Sequence, residues 1–171
     1  EKELSGGKIS ALCALLEGRL VAGNADIYSE FMDIVKKTSV LQKENLLSYC
    51  HEHKSYYEVS NTVFQQEPNV KEELNRLYWA LALARLKYDL KNTNQFEFLD
   101  ELLKNGLISA PAFKSIQSSL AFLSKVRLFL HCDQKGSYRD MMSYEVRGKI
   151  AQSMGYSVKE FFHKYFYEAA Y

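Results

Sequence analysis

At 171 residues the chain is the size of one domain, and 47% hydrophobic with 13% aromatic content supplies a core without disulfide or metal staples. Lys+Arg at 22 against Asp+Glu at 21 leaves a net charge of +1, which argues against a dedicated nucleic-acid binder, because such a protein needs a basic surplus to displace counterions. Cys13, Cys50 and Cys132 are widely spaced in apolar helical patterns and read as buried free thiols of a reducing cytoplasm. No run has the length of a membrane span and no basic-then-apolar leader opens the chain, so a cytoplasmic protein without membrane contact is expected. The opening Glu1-Lys2-Glu3-Leu4 reads as part of a longer protein.

With 2 prolines, 8 glycines and apolar residues recurring at spacings of three and four, the fold class is all-α, a bundle of about seven or eight helices with one long ordered loop. Ile9, Leu12, Leu15 and Leu16 predict a first helix ending near Gly18. Asn24 predicts an N-cap for a second, with Ile27, Phe31, Met32 and Val35 facing inward. Ser39 is expected to cap a third, through Leu41, Leu46, Leu47 and Cys50. From Tyr56 to Lys71 the β-prone Val59, Val63 and Phe64, with Pro68 holding Glu67 extended, predict the loop.

Leu74, Leu77, Tyr78, Leu81, Leu83, Ala84 and Leu86 predict a strong helix with one broad apolar face around Trp79, stopping near Lys91-Asn92-Thr93-Asn94. Phe96, Phe98, Leu99, Leu102 and Leu103 predict a short helix closed by Asn105-Gly106. Ser109 and Pro111 open the next, through Ile116, Leu120, Leu123, Val126 and Leu130 to Cys132, with Gly136 breaking the chain. A helix around Val146 and Ile150 ends at Gly155, and Ser157 with Glu160 forms a capping box ahead of Phe161, Phe162, Tyr165 and Phe166.

No P-loop, dinucleotide-binding glycine pattern or His-Glu-x-x-His helix is present, so no catalytic residue and no metal ligand is assigned. His51-Glu52-His53 is read as a solvated helix end, since i and i+2 point to different faces. Gln66 to Glu72 is a polar corner around Pro68, where Lys71 and the unpaired N–H groups of a helix start would favour an anion; by residue physics alone it is a capped surface loop. Arg127 and His131 share one helix face, followed by Arg139, Asp140 and Arg147. An Arg between Val126 and Leu128 must reach solvent or a carboxylate, with Asp140 or Glu145 as the structural choices and a phosphate or nucleotide as the functional one.

Blocks of the sequence resemble the PII-uridylyltransferase family and related nucleotidyltransferases. They are Leu15-Leu16-Glu17-Gly18-Arg19-Leu20-Val21-Ala22-Gly23-Asn24, Glu67-Pro68-Asn69-Val70-Lys71-Glu72, Leu77-Tyr78-Trp79-Ala80 and Phe122-Leu123-Ser124-Lys125-Val126-Arg127 with Leu130-His131. Tyr144-Glu145-Val146 with Ile150-Ala151, and Gly155-Tyr156 with Phe161-Phe162 and Tyr165-Phe166, complete the order over nearly the whole chain. The resemblance implies a helical accessory domain that follows a nucleotidyltransferase core and lacks that core's Gly-Ser motif and aspartates. It would be inactive alone, covering the nucleotide and presenting the acceptor. Mg and a nucleoside triphosphate belong to the complete enzyme, and the partners would be the adjoining nucleotidyltransferase domain and a PII-like acceptor protein, in nitrogen signalling. Glu67, Asn69, Lys71 and Arg127 are the implied nucleotide-binding residues.

One departure stands out: the family block continues into a glycine-rich turn, whereas Glu72 here runs directly into Glu73-Leu74-Asn75-Arg76, which reads either as loss of the turn or, the favoured reading, as a mobile turn left out of the sequence. A rival reading of another class is a non-catalytic interaction module, whose 12 tyrosines would dock a partner or support self-association.

Overall fold

The computed structural model describes residues 11–12, 14–16, 18–49, 52, 67–90, 92–133 and 140–169. Six full helices lie among them: α1 (Ala25–Leu41), α2 (Val70–Tyr88), α3 (Gln95–Lys104), α4 (Ala110–Asp133), α5 (Tyr144–Ser153) and α6 (Val158–Ala169). Residues 11–12, 14–15 and 43–49 are helical as well, so the fold is all-α as the spacing predicts. Ile9, Cys13, Cys50, His51, His53, Gly136, Arg139 and most of the expected 56–71 loop fall outside the described residues; Cys132 is a free thiol but exposed rather than buried, and Val70 and Lys71 already belong to α2.

Local chemistry fixes most helix ends. The side chains of Asn24, Asn69 and Asn94 each accept two N–H groups from the first turn of α1, α2 and α3. Ser109 Oγ accepts from Ala112 N at the start of α4. At α6 the expected box is reciprocal, with Ser157 N donating to Glu160 Oε2 at 2.9 Å and Glu160 N to Ser157 Oγ at 3.3 Å. After α5, Gly155 turns to φ +79°, where a side chain would be strained, and Tyr156 N closes on Ala151 O at 2.9 Å.

α4 is the axis of the larger core and touches α2, α3, α5 and α6. Leu120, Leu123, Val126 and Leu130 of α4 are buried with Phe98, Leu99 and Leu102, Leu74, Leu77 and Leu81, Ile150 and Phe161. A second, smaller core joins Leu12, Val35, Leu46 and Leu86, with Trp79 and Leu83 packed against it. α2 serves both, because Leu74, Leu77 and Leu81 point one way along a 3.6-residue repeat while Trp79, Leu83 and Leu86 point the other. The single broad face expected around Trp79 is thus two opposite faces. A helix apolar on both sides is one that is covered on both sides.

Two expectations for α1 are corrected. Met32 and Val35 are buried, but Ile27 and Phe31 are exposed, because the inward stripe runs through Tyr28, Met32, Val35 and Ser39. Ser39 caps nothing: it lies inside α1, buried, with Oγ donating to Val35 O at 2.7 Å. Its hydroxyl is satisfied by the carbonyl one turn back, a common solution for a buried helical serine.

Glu168 of α6 is buried against α4, where it accepts from Ser118 Oγ at 2.7 Å, Ser119 Oγ at 2.9 Å and Lys164 Nζ at 2.9 Å. Burial alone would raise its carboxyl, yet these three donors outweigh burial and hold it below its ordinary value of 4.5. Glu168→Ala should cost about 2–4 kcal/mol in chemical denaturation, since it strands a lysine and two hydroxyls. In wild type this contribution is present above pH 4.5 and is lost as pH falls through the depressed folded value.

Candidate functional site

Two loops far apart in sequence are joined by backbone. Val70 N donates to Asp140 O and Met142 N to Pro68 O, both at 2.9 Å, around an antiparallel bridge between Asn69 and Met141. Pro68 suits this place because the bridge asks only for its carbonyl. The join brings the polar corner ahead of α2 to the segment between α4 and α5, and so places Asp140 against α4.

There Asp140 receives Arg127 as a fork, Nε to Oδ1 at 2.7 Å and Nη2 to Oδ2 at 3.5 Å, with His131 Nε2 2.9 Å from Oδ1. Of the partners open to Arg127 in the sequence, the structure selects Asp140. Burial alone would raise this carboxyl, but hydrogen bonds from Arg127 and His131, reinforced by their charges, hold it below its ordinary 3.8. Beside the cluster an open groove of about 240 Å³ is lined by Leu74, Tyr78, Ser124, Arg127, Leu128 and His131. A larger open hollow of about 620 Å³ is lined by Asn92, Glu97, Asp100, Glu101 and Lys104, and its three carboxylates would repel phosphates.

The four expected nucleotide residues have different surroundings. Arg127 lines the groove. Asn69 Oδ1 accepts from Lys71 N at 3.1 Å and Glu72 N at 3.3 Å, and its Nδ2 donates to Glu72 Oε1 at 3.3 Å, so its amide is used up in capping. Glu73 N turns back to Asn69 O and Val70 N is held by Asp140, so the first four N–H groups of α2 all have partners. The anion-binding helix start expected at this corner is therefore closed, and Glu72 and Glu73 make its first turn acidic. These two also lie in one unbroken helix at the point where the family's glycine-rich turn would come.

Lys71 is exposed in that turn, and Glu67 is exposed on the approach, where its charge reaches Arg147. Arg147 is buried, with Nε donating to Met142 O at 3.3 Å and the guanidinium 4.7 Å over the Phe162 ring. Burial pushes Arg147 below the usual arginine range, while Glu67 opposes that shift. Two groove residues escape pattern reading: Tyr78, assigned only to an apolar face, and Ser124, given no role of its own; their signal is a hydroxyl at the α2–α4 contact. Among the described residues, no group of three or more His, Cys, Asp or Glu side chains could hold a metal ion.

The model of the GlnD PII-uridylyltransferase family matches residues 44–170. The chain belongs to the GlnD PII-uridylyltransferase family. Among its relatives is a bifunctional uridylyltransferase/uridylyl-removing enzyme of Haemophilus influenzae (strain 86-028NP), 27% identical over 150 residues, or 83% of this chain and 16% of that protein. Proteins of the same name from Bradyrhizobium diazoefficiens and Pasteurella multocida are 24% and 26% identical, over 88% and 84% of this chain and 16% of each relative. This family member therefore spans about a sixth of the length of those relatives. No solved structure matches it. No helix among the described residues is long and apolar enough to cross a membrane.

Two substitutions separate holding from binding. Asn69→Ala should lower stability by about 1 kcal/mol through the lost cap. Asp140→Asn should cost about 1–3 kcal/mol by unpairing Arg127, and it should also flatten the stability lost by wild type below pH 3.8, as the depressed carboxyl is protonated. Urea unfolding at pH 7 and pH 3 measures both.

Proposed function

We propose that this chain is the helical accessory segment of a cytoplasmic uridylyltransferase that acts in nitrogen signalling. It covers a nucleoside triphosphate and helps present a PII-like protein acceptor, while the transfer chemistry, with magnesium, belongs to an adjoining nucleotidyltransferase domain. The observation that carries this reading is the family match across residues 44–170, with relatives named for adding and removing uridylyl groups. The non-catalytic role is supported by how the polar side chains are used. Arg127, His131 and Asp140 hold one another, as do Glu168, Lys164, Ser118 and Ser119, and Asn69 is spent on a cap.

Within that role Arg127 offers the nucleotide those of its five N–H donors that Asp140 leaves over, next to the hydroxyls of Tyr78 and Ser124. Lys71 and Glu67 border the approach, one attracting phosphate and the other facing the metal side. Asn69 contributes by fixing the helix start on which Lys71 stands.

In the complete enzyme, Arg127→Ala and Lys71→Ala should each raise the nucleotide KM about ten-fold, the worth of one charge-assisted hydrogen bond, with the far-ultraviolet circular dichroism unchanged. An unaltered KM in both variants would remove the nucleotide contact. The 171-residue chain mixed with magnesium, UTP and a PII-type protein should transfer nothing, and labelled acceptor would overturn the accessory role.

A second reading, an interaction module, is favoured by Tyr144 and Tyr167, which are 80% and 60% exposed. Large exposed tyrosines suit a protein interface.

A further inference from the structure

α1 carries an apolar stripe that no element among the described residues covers. Ile27, Phe31, Ile34 and Leu41 are 67%, 40%, 63% and 79% exposed, and with Thr38 they recur at alternating steps of four and three. That is the seam of a two-stranded coiled coil. It lies beside the buried stripe of Tyr28, Met32, Val35 and Ser39, so α1 is anchored to the body on one side and open on the next. The residues matched by the family model begin at 44, after α1 ends.

The charges on α1 say what fits this seam. Its first half is acidic, with Asp26, Glu30 and Asp33, and its second half is basic, with Lys36 and Lys37, all exposed. Glu30 and Lys37 are one heptad apart and flank the seam on the side away from the body. A parallel copy would set acid beside acid and base beside base. An antiparallel copy sets Glu30 against the second chain's Lys37, and Lys37 against its Glu30. In that register Phe31 meets Ile34 and Ile27 meets Thr38, each pairing occurring twice by symmetry. Apart from Leu41 at its end, the apolar seam and its flanking charges are thus satisfied together in one arrangement.

We propose that a second copy of this chain docks on this face, the two α1 helices pairing antiparallel along Ile27, Phe31, Ile34 and Thr38, with reciprocal Glu30–Lys37 ion pairs. The inference does not depend on the nucleotide reading, since it uses no residue of the groove. It calls for a reversible dimer with a dissociation constant on the order of 10 µM, in keeping with a short seam containing one threonine.

The test is sedimentation equilibrium of the 171-residue chain across that concentration range, beside variants that change only exposed positions. Wild type should move from 19.8 kDa to twice that mass. Ile34→Asp should stay monomeric with unchanged helical content. Glu30→Lys and Lys37→Glu should each weaken the dimer about ten-fold, by turning two attractions into two repulsions. The double swap Glu30→Lys with Lys37→Glu should restore wild-type affinity, whereas in a parallel pair each single change would only replace one like-charge contact with another and leave the affinity unchanged. A wild-type chain that stays monomeric, a dimer indifferent to Ile34→Asp, or a double swap no better than the single changes would each overturn the proposal.

Discussion

Two backbone hydrogen bonds, Val70 N to Asp140 O and Met142 N to Pro68 O, set the geometry on which the site depends. They hold the start of α2 to the segment between α4 and α5, and that segment delivers Asp140 to Arg127 and His131. Without them Arg127, half-buried in an apolar stretch of α4, would need another counterion or would swing into solvent. The same pair of bonds occupies an N–H at the head of α2, leaving to Asn69 the task of closing the rest. One short antiparallel contact in an all-helical chain therefore decides both where the cationic side chain is held and why the neighbouring helix end is shut.

The second organising fact is that α2 packs into both cores. Leu74, Leu77 and Leu81 enter the larger core, while Trp79, Leu83 and Leu86 enter the smaller one. Arg85, also buried on α2, extends its guanidinium to 4.4 Å over the Phe98 ring and donates from Nε to Asn92 O, so the turn into α3 is held from within the helix. The groove occupies a gap where Leu74 and Tyr78 meet Ser124 and Leu128 of α4. Its walls belong to two helices that both feed the larger core, which suits a surface that must hold a shape.

Local features were the legible ones. Asn24, Ser109, the Ser157–Glu160 pair and Asn105-Gly106 mark helix ends through groups within a few residues of each other, and the structure uses each as its chemistry suggests. Asn69 carries the same signal as Asn24, an amide just ahead of a periodic apolar run, so its capping role could have been read by the same rule. The inward face of α1 could not. Two adjacent stripes there are both apolar, and only the position of Leu46 and Leu86 decides that Met32 and Val35 go in while Ile27 and Phe31 stay out. Ser39 looks like a cap in isolation and is a buried interior serine because the helix continues past it. The Pro68–Met142 contact joins distant parts of the chain, and nothing in either segment alone announces the other. For the Arg127 cluster the sequence narrowed the partner to Asp140 or Glu145, and the fold chose between them.

The inequality of the two cores has a consequence for motion. The smaller one rests on Leu12, Val35, Leu46 and Leu86, whereas the larger draws on five helices around α4. Opening α1 would expose little beyond Met32, Val35 and their few neighbours, so its amides should exchange with solvent through local excursions. Those in the middle of α4 should exchange only when the whole molecule comes apart. α2 straddles the boundary, and its Trp79 side would feel the loosening of the small core while its Leu77 side stayed dry. Such a gradient of protection gives the chain a soft end and a firm end, with the polar groove built on the firm one.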